Sequence, residues 1–144
     1  MSFVVDASVV AKYLVADVES DKAEAFLREW TQARFDLLAP EILPMEVAST
    51  LWKRVRRGLV PADKACTLYD KFIRLCIPLM PIEDLAEPAL RLALHYGHSV
   101  YDGLYVALAQ TTGWTLITAD EKLCKALIPR FSQVRLLREW CGVG

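Results

Sequence analysis

The 144-residue sequence lacks most of the features that announce a function directly. It has two histidines and four cysteines, Cys66, Cys76, Cys124 and Cys141, which form no CxxC pair and have no clustered histidine beside them. That excludes a zinc site built on grouped His and Cys ligands. Neither sign of charge dominates, since 17 Lys and Arg stand against 18 Asp and Glu for a net charge of -1. A polycationic nucleic-acid coat is thereby excluded, and any affinity for nucleic acid must come from a local patch. No apolar run approaches the ~18 uncharged residues needed to span a bilayer. Even "MSFVVDASVVAKYLV" lacks a basic leader and is interrupted by Asp6. The expectation is a soluble, unprocessed protein of a reducing cytoplasm, with no membrane partner and with its cysteines acting as small core residues. No repeat, linker or low-complexity segment divides the chain, so residues 1–144 are expected to form one domain with a sizeable core.

What the sequence does contain is alternation. "SFVV" at 2–5 is β-branched and aromatic and suits a buried strand of a parallel sheet, with a helix able to follow from Ser8. A helix fits 20–34, with Ser20 as N-cap and Ala23, Phe26, Leu27 and Trp30 at helical spacing. "DLLAP" at 36–40 reads as a short strand. Met45, Ala48, Leu51, Trp52 and Val55 give a helix over 41–57 that ends at Gly58, and Pro61 opens the next. "IPLMPI" at 77–82 is an edge-like strand because of its prolines. A helix over 85–96 stops at Gly97, and "TLIT" at 115–118, a helix at 120–128 and "VRLL" at 134–137 complete the pattern. Strands alternating with helices of this length imply an α/β sandwich on a parallel sheet with right-handed crossovers.

Against this background the carboxylates stand out. In "HSVYDGLYVALA" at 98–109, Asp102 enters an apolar run with no Lys or Arg near it. A buried ionised carboxylate is costly unless paired, hydrogen-bonded or metal-bound. "SVYD" also reads as a capping box in which Ser99 caps a helix and Asp102 occupies its third position. "TADE" at 118–121 can likewise place Thr118 as cap and Glu121 as its partner, with Asp120 in the first turn, and Asp6 can be a cap between strand and helix. Taken together the acids say more. Asp6 and Asp120 fall at the carboxyl ends of expected parallel strands, where open α/β sheets place ligands, Asp102 opens a helix, and Glu46 lies at the margin of an apolar stripe near a helix start. Four converging carboxylates raise one another's pKa unless a cation intervenes. Oxygen ligands select a hard divalent ion such as Mg²⁺ or Mn²⁺, which keeps several waters and is completed by phosphate oxygens. The matching chemistry is metal-assisted hydrolysis of a phosphodiester.

These residues carry a resemblance over nearly the whole chain. "VVDASVV" at 4–10, Glu46 in "PMEVASTLWK", "YDGLYVALA" at 101–109 and "LITAD" at 116–120, in that order and spacing, resemble the PIN-domain ribonucleases, and within them the VapC toxins of bacterial and archaeal toxin–antitoxin pairs. The resemblance implies a three-layer α/β/α sandwich with a central parallel sheet. It also implies an acidic quartet of Asp6, Glu46, Asp102 and Asp120 holding Mg²⁺ or Mn²⁺, with Ser8 and Thr118 as supporting hydroxyls. Some relatives carry a further acid or amide after the last motif; here those positions are Leu123 and Cys124, leaving Glu121 as the one candidate to extend the quartet. The family further implies cleavage of single-stranded or loop RNA, a VapB-like antitoxin encoded beside the gene, and a homodimer with both sites along one groove.

The run "KRVRRG" at 53–58 offers Lys53, Arg54, Arg56 and Arg57 for phosphate contact, or is the solvated face of a helix. His95 and His98 flank Gly97 and read as helix-end or surface residues. Tyr101 and Tyr105, four apart, and the scattered Trp30, Trp52, Trp114 and Trp140 suit core packing or a dimer face better than base stacking. Two other functions fit parts of the pattern. An aspartyl-nucleophile phosphatase matches Asp6 but wants a second Asp where this chain has Ser8. A catalytically silent PIN-like module binding RNA or a partner would use the acids only as caps.

Overall fold

Five short strands, rich in β-branched and aliphatic residues, pair side by side in a computed structural model that describes residues 1–143. They are β1 (Ser2–Val5), β2 (Asp36–Pro40), β3 (Leu79–Met80), β4 (Thr115–Thr118) and β5 (Val134–Leu136). The sheet order is β3-β2-β1-β4-β5, and every pairing is parallel. Phe3, Val4 and Val5 of the central strand are at most 1% exposed, which explains why the run is continuously apolar rather than alternating. The helices are α1 (Ala7–Leu14), α2 (Ser20–Thr31), α3 (Leu43–Arg56), α4 (Ala62–Ile73), α5 (Ala86–Tyr96), α6 (Val100–Thr112) and α7 (Glu121–Leu127), followed by a 3-10 turn at Leu137–Glu139. The result is the expected three-layer α/β/α sandwich. α6 lies against β1, β2 and β4 and carries α5 on its outer side, while α1 touches α2, α3 and α4.

Strand order determines where a ligand can enter. From β1 the chain moves outward through β2 to β3, then returns to the other side of β1 for β4 and β5. Crossovers leaving β1 in opposite directions open a crevice at the carboxyl ends of β1 and β4, the switch point of an open α/β sheet. Val5 pairs with Ile117 there, and the Asp6 amide extends the ladder by donating to the Ile117 carbonyl at 3.0 Å.

Several local expectations resolve differently. Asp120, rather than Thr118, is the N-cap of α7, its Oδ1 accepting from the Leu123 amide at 3.1 Å. Glu121 turns outward and pairs with Arg138. The N-cap of α2 is Glu19, in a left-handed conformation at φ 73°, because the Ser20 hydroxyl is already taken by the Asp17 amide at 2.8 Å. Of the cysteines placed in the core, only Cys124 is buried, and Cys66, Cys76 and Cys141 are exposed. Cys66 lies on α4, a helix with Phe72 as its one buried residue, so its apolar positions face a shallow groove rather than the interior. Trp140 does enter the core, edge-on to Phe3, Phe26 and Phe35 with ring centroids 5.0–5.7 Å away, whereas Trp52 is 58% exposed. Among the described residues no helix is long and apolar enough to cross a membrane.

α6 begins with the capping contact the sequence suggests, Ser99 Oγ accepting from the Asp102 amide at 3.0 Å. One residue on, Gly103 brings α6 against α5 so closely that a Cβ would stand 2.5 Å from the Ala89 carbonyl oxygen and 3.1 Å from its Cα. Backbone cannot move aside as a flexible side chain can, so this contact sets the depth at which Asp102 is held. Gly103→Ala should therefore destabilise the protein by roughly 1–3 kcal/mol, although alanine is the better helix former by about 1 kcal/mol. Urea unfolding checks this: the midpoint should fall with the slope unchanged, and a raised midpoint would show that the helices separate freely.

Candidate active site

The crevice at the switch point is lined by Asp6, Ser8, Lys12, Glu46, Thr50, Arg54, Asp102 and Asp120. Each acid arrives by a different route. Asp6 follows β1 and is the residue before α1, Glu46 sits in the first turn of α3, Asp102 in the first turn of α6, and Asp120 caps α7 just beyond β4. Segments far apart in sequence thus meet because their strand ends and helix starts share one edge of the sheet.

Asp6 is the innermost, with 5% exposure. Its Oδ2 accepts from Ser8 Oγ at 2.6 Å and from Thr118 Oγ1 at 2.7 Å. The same hydroxyls tie the two strand ends together, since Ser8 Oγ accepts from the Ala119 amide at 2.9 Å and Thr118 Oγ1 from the Asp120 amide at 3.0 Å. Burial pushes the Asp6 carboxyl up to about 7; the two hydroxyls oppose this, and the charges of Asp102 and Glu46 add to it. Burial also raises Glu46, with the Tyr105 hydroxyl in opposition and Asp102 reinforcing. Asp102 is raised by burial as well, offset by Ser99 and reinforced by Asp120.

Among the described residues no three His, Cys, Asp or Glu side chains are already drawn into a metal-holding group. The acids instead line an open cleft. Such an arrangement suits Mg²⁺ or Mn²⁺, which take one or two carboxylates directly and fill the remaining positions with water and phosphate. Two buried atoms support the fit: Glu46 Oε1 and the Tyr105 hydroxyl have no hydrogen-bond partner among the described residues. The nearby Tyr105 hydroxyl acts on the Glu46 carboxyl without forming a hydrogen bond to Oε1, so that oxygen faces other acids and is open to a cation.

All four acids named from the sequence and both hydroxyls therefore come together, and Glu121 does not join them. The basic run divides. Arg54 turns into the cleft and Lys53 into the neighbouring pocket beside Glu46 and Tyr101, while the Arg56 guanidinium lies over the Trp52 ring at 5.3 Å and Arg57 follows the end of α3. His95 and His98 stay at the α5–α6 turn, the former against Arg130 Nη1 and the latter on the Ser99 carbonyl, each at 2.8 Å. One residue beside the acids and one lining the cleft are not evident from the sequence. Tyr105 is in the core, as expected, but its hydroxyl ends among the acids, and their charges join burial in raising its pKa. Lys12 shares the cleft face of α1 with Ser8, four residues earlier. That spacing is the one signal the sequence offers for it.

The raised Asp6 carboxyl has a consequence for stability. The fold favours its protonated form, so the contribution is fully present below the ordinary carboxylate range near 3.8 and is lost as pH rises through about 7. In chelator, stability of the parent should fall between about pH 4 and about pH 7 relative to Asp6→Asn, by on the order of a few kcal/mol. Urea titrations of both proteins across that window measure the difference; parallel pH profiles would show that Asp6 is ionised throughout.

Comparison with known proteins addresses family and fold. The PIN domain model matches residues 3–127. Ribonuclease VapC3 of Pyrobaculum aerophilum is 35% identical over 127 residues, covering 87% of this chain and 94% of that protein. Among solved structures, VapBC2 of Rickettsia felis bound to a DNA fragment from its promoter aligns with a TM-score of 0.65 at 15% identity, over 94% of this chain and 98% of the other. VapC20 of Mycobacterium tuberculosis, a Sarcin-Ricin loop cleaving toxin, aligns at 0.64 with 18% identity, over 92% and 98%. Those two likenesses concern the fold; the family match and the VapC3 identity go further, and on them the chain belongs to the PIN-domain family, in the company of the VapC ribonucleases.

Proposed function

We propose that this protein is a Mg²⁺- or Mn²⁺-dependent endoribonuclease and the toxin of a type II toxin–antitoxin pair. The observation that carries the reading is the cleft at the switch point. There Asp6, Glu46, Asp102 and Asp120 face one another with raised carboxyls at the first three and an unpartnered Glu46 oxygen. The four acids are the metal-holding set. When bound, the ion supplies charge for the phosphate oxygens and lowers the pKa of an attacking water.

The chain's own residues do the rest. Ser8 and Thr118 orient Asp6 by two hydrogen bonds and keep the ends of β1 and β4 in register. The Leu123 amide occupies one oxygen of Asp120, which leaves the other for the site. Glu46, raised by burial, would accept the proton of the attacking water through the oxygen not turned to the ion. The water's oxygen forms a bond to phosphorus as the bond to the bridging 3′ oxygen breaks. The departing 3′ oxygen takes a proton from solvent water, and the products are a 3′-hydroxyl and a 5′-phosphate.

RNA is the substrate class, contacted through Lys53 and Arg54 on the cleft side of α3 in preference to Arg56 and Arg57. A VapB-like antitoxin is the expected partner, supported by the VapBC complex among the structural neighbours, and a homodimer would align two clefts along one groove. The cytoplasm is the corresponding compartment, and residues 1–144 act as one domain.

Purified protein should cut mixed cellular RNA in Mg²⁺ or Mn²⁺ but not in chelator, and end mapping should find 5′-phosphates. Cyclic 2′,3′-phosphate ends would instead indicate attack by the RNA's own 2′-hydroxyl and sink the mechanism. Asp102→Asn should abolish cleavage while leaving the protein in chelator as stable as the parent or more so, because one of several repelling charges is gone. Loss of a purely structural first-turn acid would instead cost about 0.3–1 kcal/mol. Thermal melts with and without millimolar Mg²⁺ separate the two, since the parent should gain from the ion and the variant should lose most of that gain.

A further inference from the structure

Two cations, Lys12 on α1 and Arg54 on α3, line the same cleft as the acids. Lys12 follows Ser8 by one turn, and Arg54 follows Glu46 by two, with Thr50 between them on the same face. At 1.5 Å per residue the cations stand roughly 6 Å and 12 Å farther along their helices than the acid-end residues. Among the described residues both cations make their ion-pair contacts with Asp17, outside the quartet.

Both cations face one oxygen. Asp17 Oδ2 lies 3.4 Å from Lys12 Nζ and 3.7 Å from Arg54 Nη2, and the two cationic side chains are only 19% and 23% exposed. The other oxygen, Oδ1, accepts from the Val18 amide at 2.7 Å, which is the main reason the Asp17 carboxyl sits below the usual range. Lys12 has a firmer anchor, donating to the Val18 carbonyl at 3.0 Å. The contact to Arg54 is beyond hydrogen-bond reach and that to Lys12 is at its limit. A single anionic oxygen thus stands loosely between two partly covered cations that together carry an excess positive charge.

We propose that Lys12 and Arg54 form a seat for one phosphate of the RNA backbone adjacent to the phosphate that is cut, and that Asp17 Oδ2 fills this seat until RNA displaces it. This inference rests on the nuclease reading of the cleft. The seat's distance from the acids assigns it to binding rather than to the bond-breaking step. A phosphate presents several oxygens where Asp17 presents one, so the planar fork of Arg54 and the ammonium of Lys12 can both reach hydrogen-bonding distance at once. Lys53, on the other side of Glu46, is outside this arrangement.

The test measures binding of a short fluorescent single-stranded RNA by anisotropy in an Asp102→Asn background, and steady-state cleavage in the parent background. Lys12→Gln and Arg54→Gln should each weaken binding several-fold and reduce the slope of log affinity against log salt by about 0.7. KM should rise with kcat within about twofold. Arg54→Lys, which keeps the charge and is the safer variant for folding, should retain the slope but recover only part of the affinity. Asp17→Asn should tighten binding several-fold by removing the competing anion. Arg28→Gln, exposed on α2 outside the cleft, controls for general charge loss. A parental salt slope in both glutamine variants, or a fall in kcat without a change in KM, overturns the seat. Unchanged or weaker binding by Asp17→Asn overturns Asp17 as its occupant. These outcomes bear on the seat when the parent cleaves RNA; a parent that neither binds nor cuts RNA removes the nuclease reading as well.

Discussion

The cleft depends on one carboxyl group held where water barely reaches it. Asp6 is the continuation of the central strand, so its backbone is committed to the ladder with Ile117 and its side chain has no choice but to project from the sheet edge. Two hydroxyls satisfy one of its oxygens, yet burial still outweighs them and pushes the group up to about 7. The fold therefore stores an unfavourable charge at its own switch point. Protonation relieves that charge structurally, and on the proposed metal-dependent reading a cation would relieve it while leaving the carboxylate ionised.

The neighbouring elements keep this charge from dispersing. α6 could relieve the repulsion by shifting outward and carrying Asp102 away. The backbone contact between Gly103 and Ala89 instead pins α6 to α5, and the buried run Leu104 to Ala109 fills the space against the sheet. On the opposite strand end, Thr118 binds Asp6 with its hydroxyl proton and the Asp120 amide with its oxygen, so one side chain couples the positions of two acids. Packing energy thus holds electrostatic frustration in place. Among the described residues the acids remain a lined cleft rather than a closed cage, which preserves room for phosphate and water.

Much of this was legible in the sequence because the signals were periodic or punctuated. The apolar strands, Gly97 at the end of α5 and Ser99 at the start of α6 are local features, and each appears where its chemistry requires it. The four acids were legible as a set because each closes a strand or opens a helix. Less could be read where a residue's role depends on what lies opposite. Cys66 has the composition of a core residue but lies on a helix whose partner face is incomplete. Glu121 fits a capping box but meets Arg138 first, from seventeen residues away. Tyr105 gives no sign in sequence that its ring is core and its hydroxyl belongs to the cleft.

Lys12 and Arg54 show the same limit from the other direction. In sequence the first is a lone basic residue in the last turn of α1, and the second is one of a run of four whose members look equivalent. Helical phase makes them unequal. Arg54 and Arg56 leave α3 in different directions, the first into the cleft and the second onto the Trp52 ring. On the proposed reading, a nearly neutral chain would handle a polyanion without a basic surface, because a few cations lining the cleft would attract phosphate where the acids alone would repel it. The acids would become compatible with phosphate through a cation of their own. Affinity and chemistry would then fall to opposite ends of the same two helices, since Ser8 and Glu46 stand near the starts of α1 and α3 and Lys12 and Arg54 near their ends.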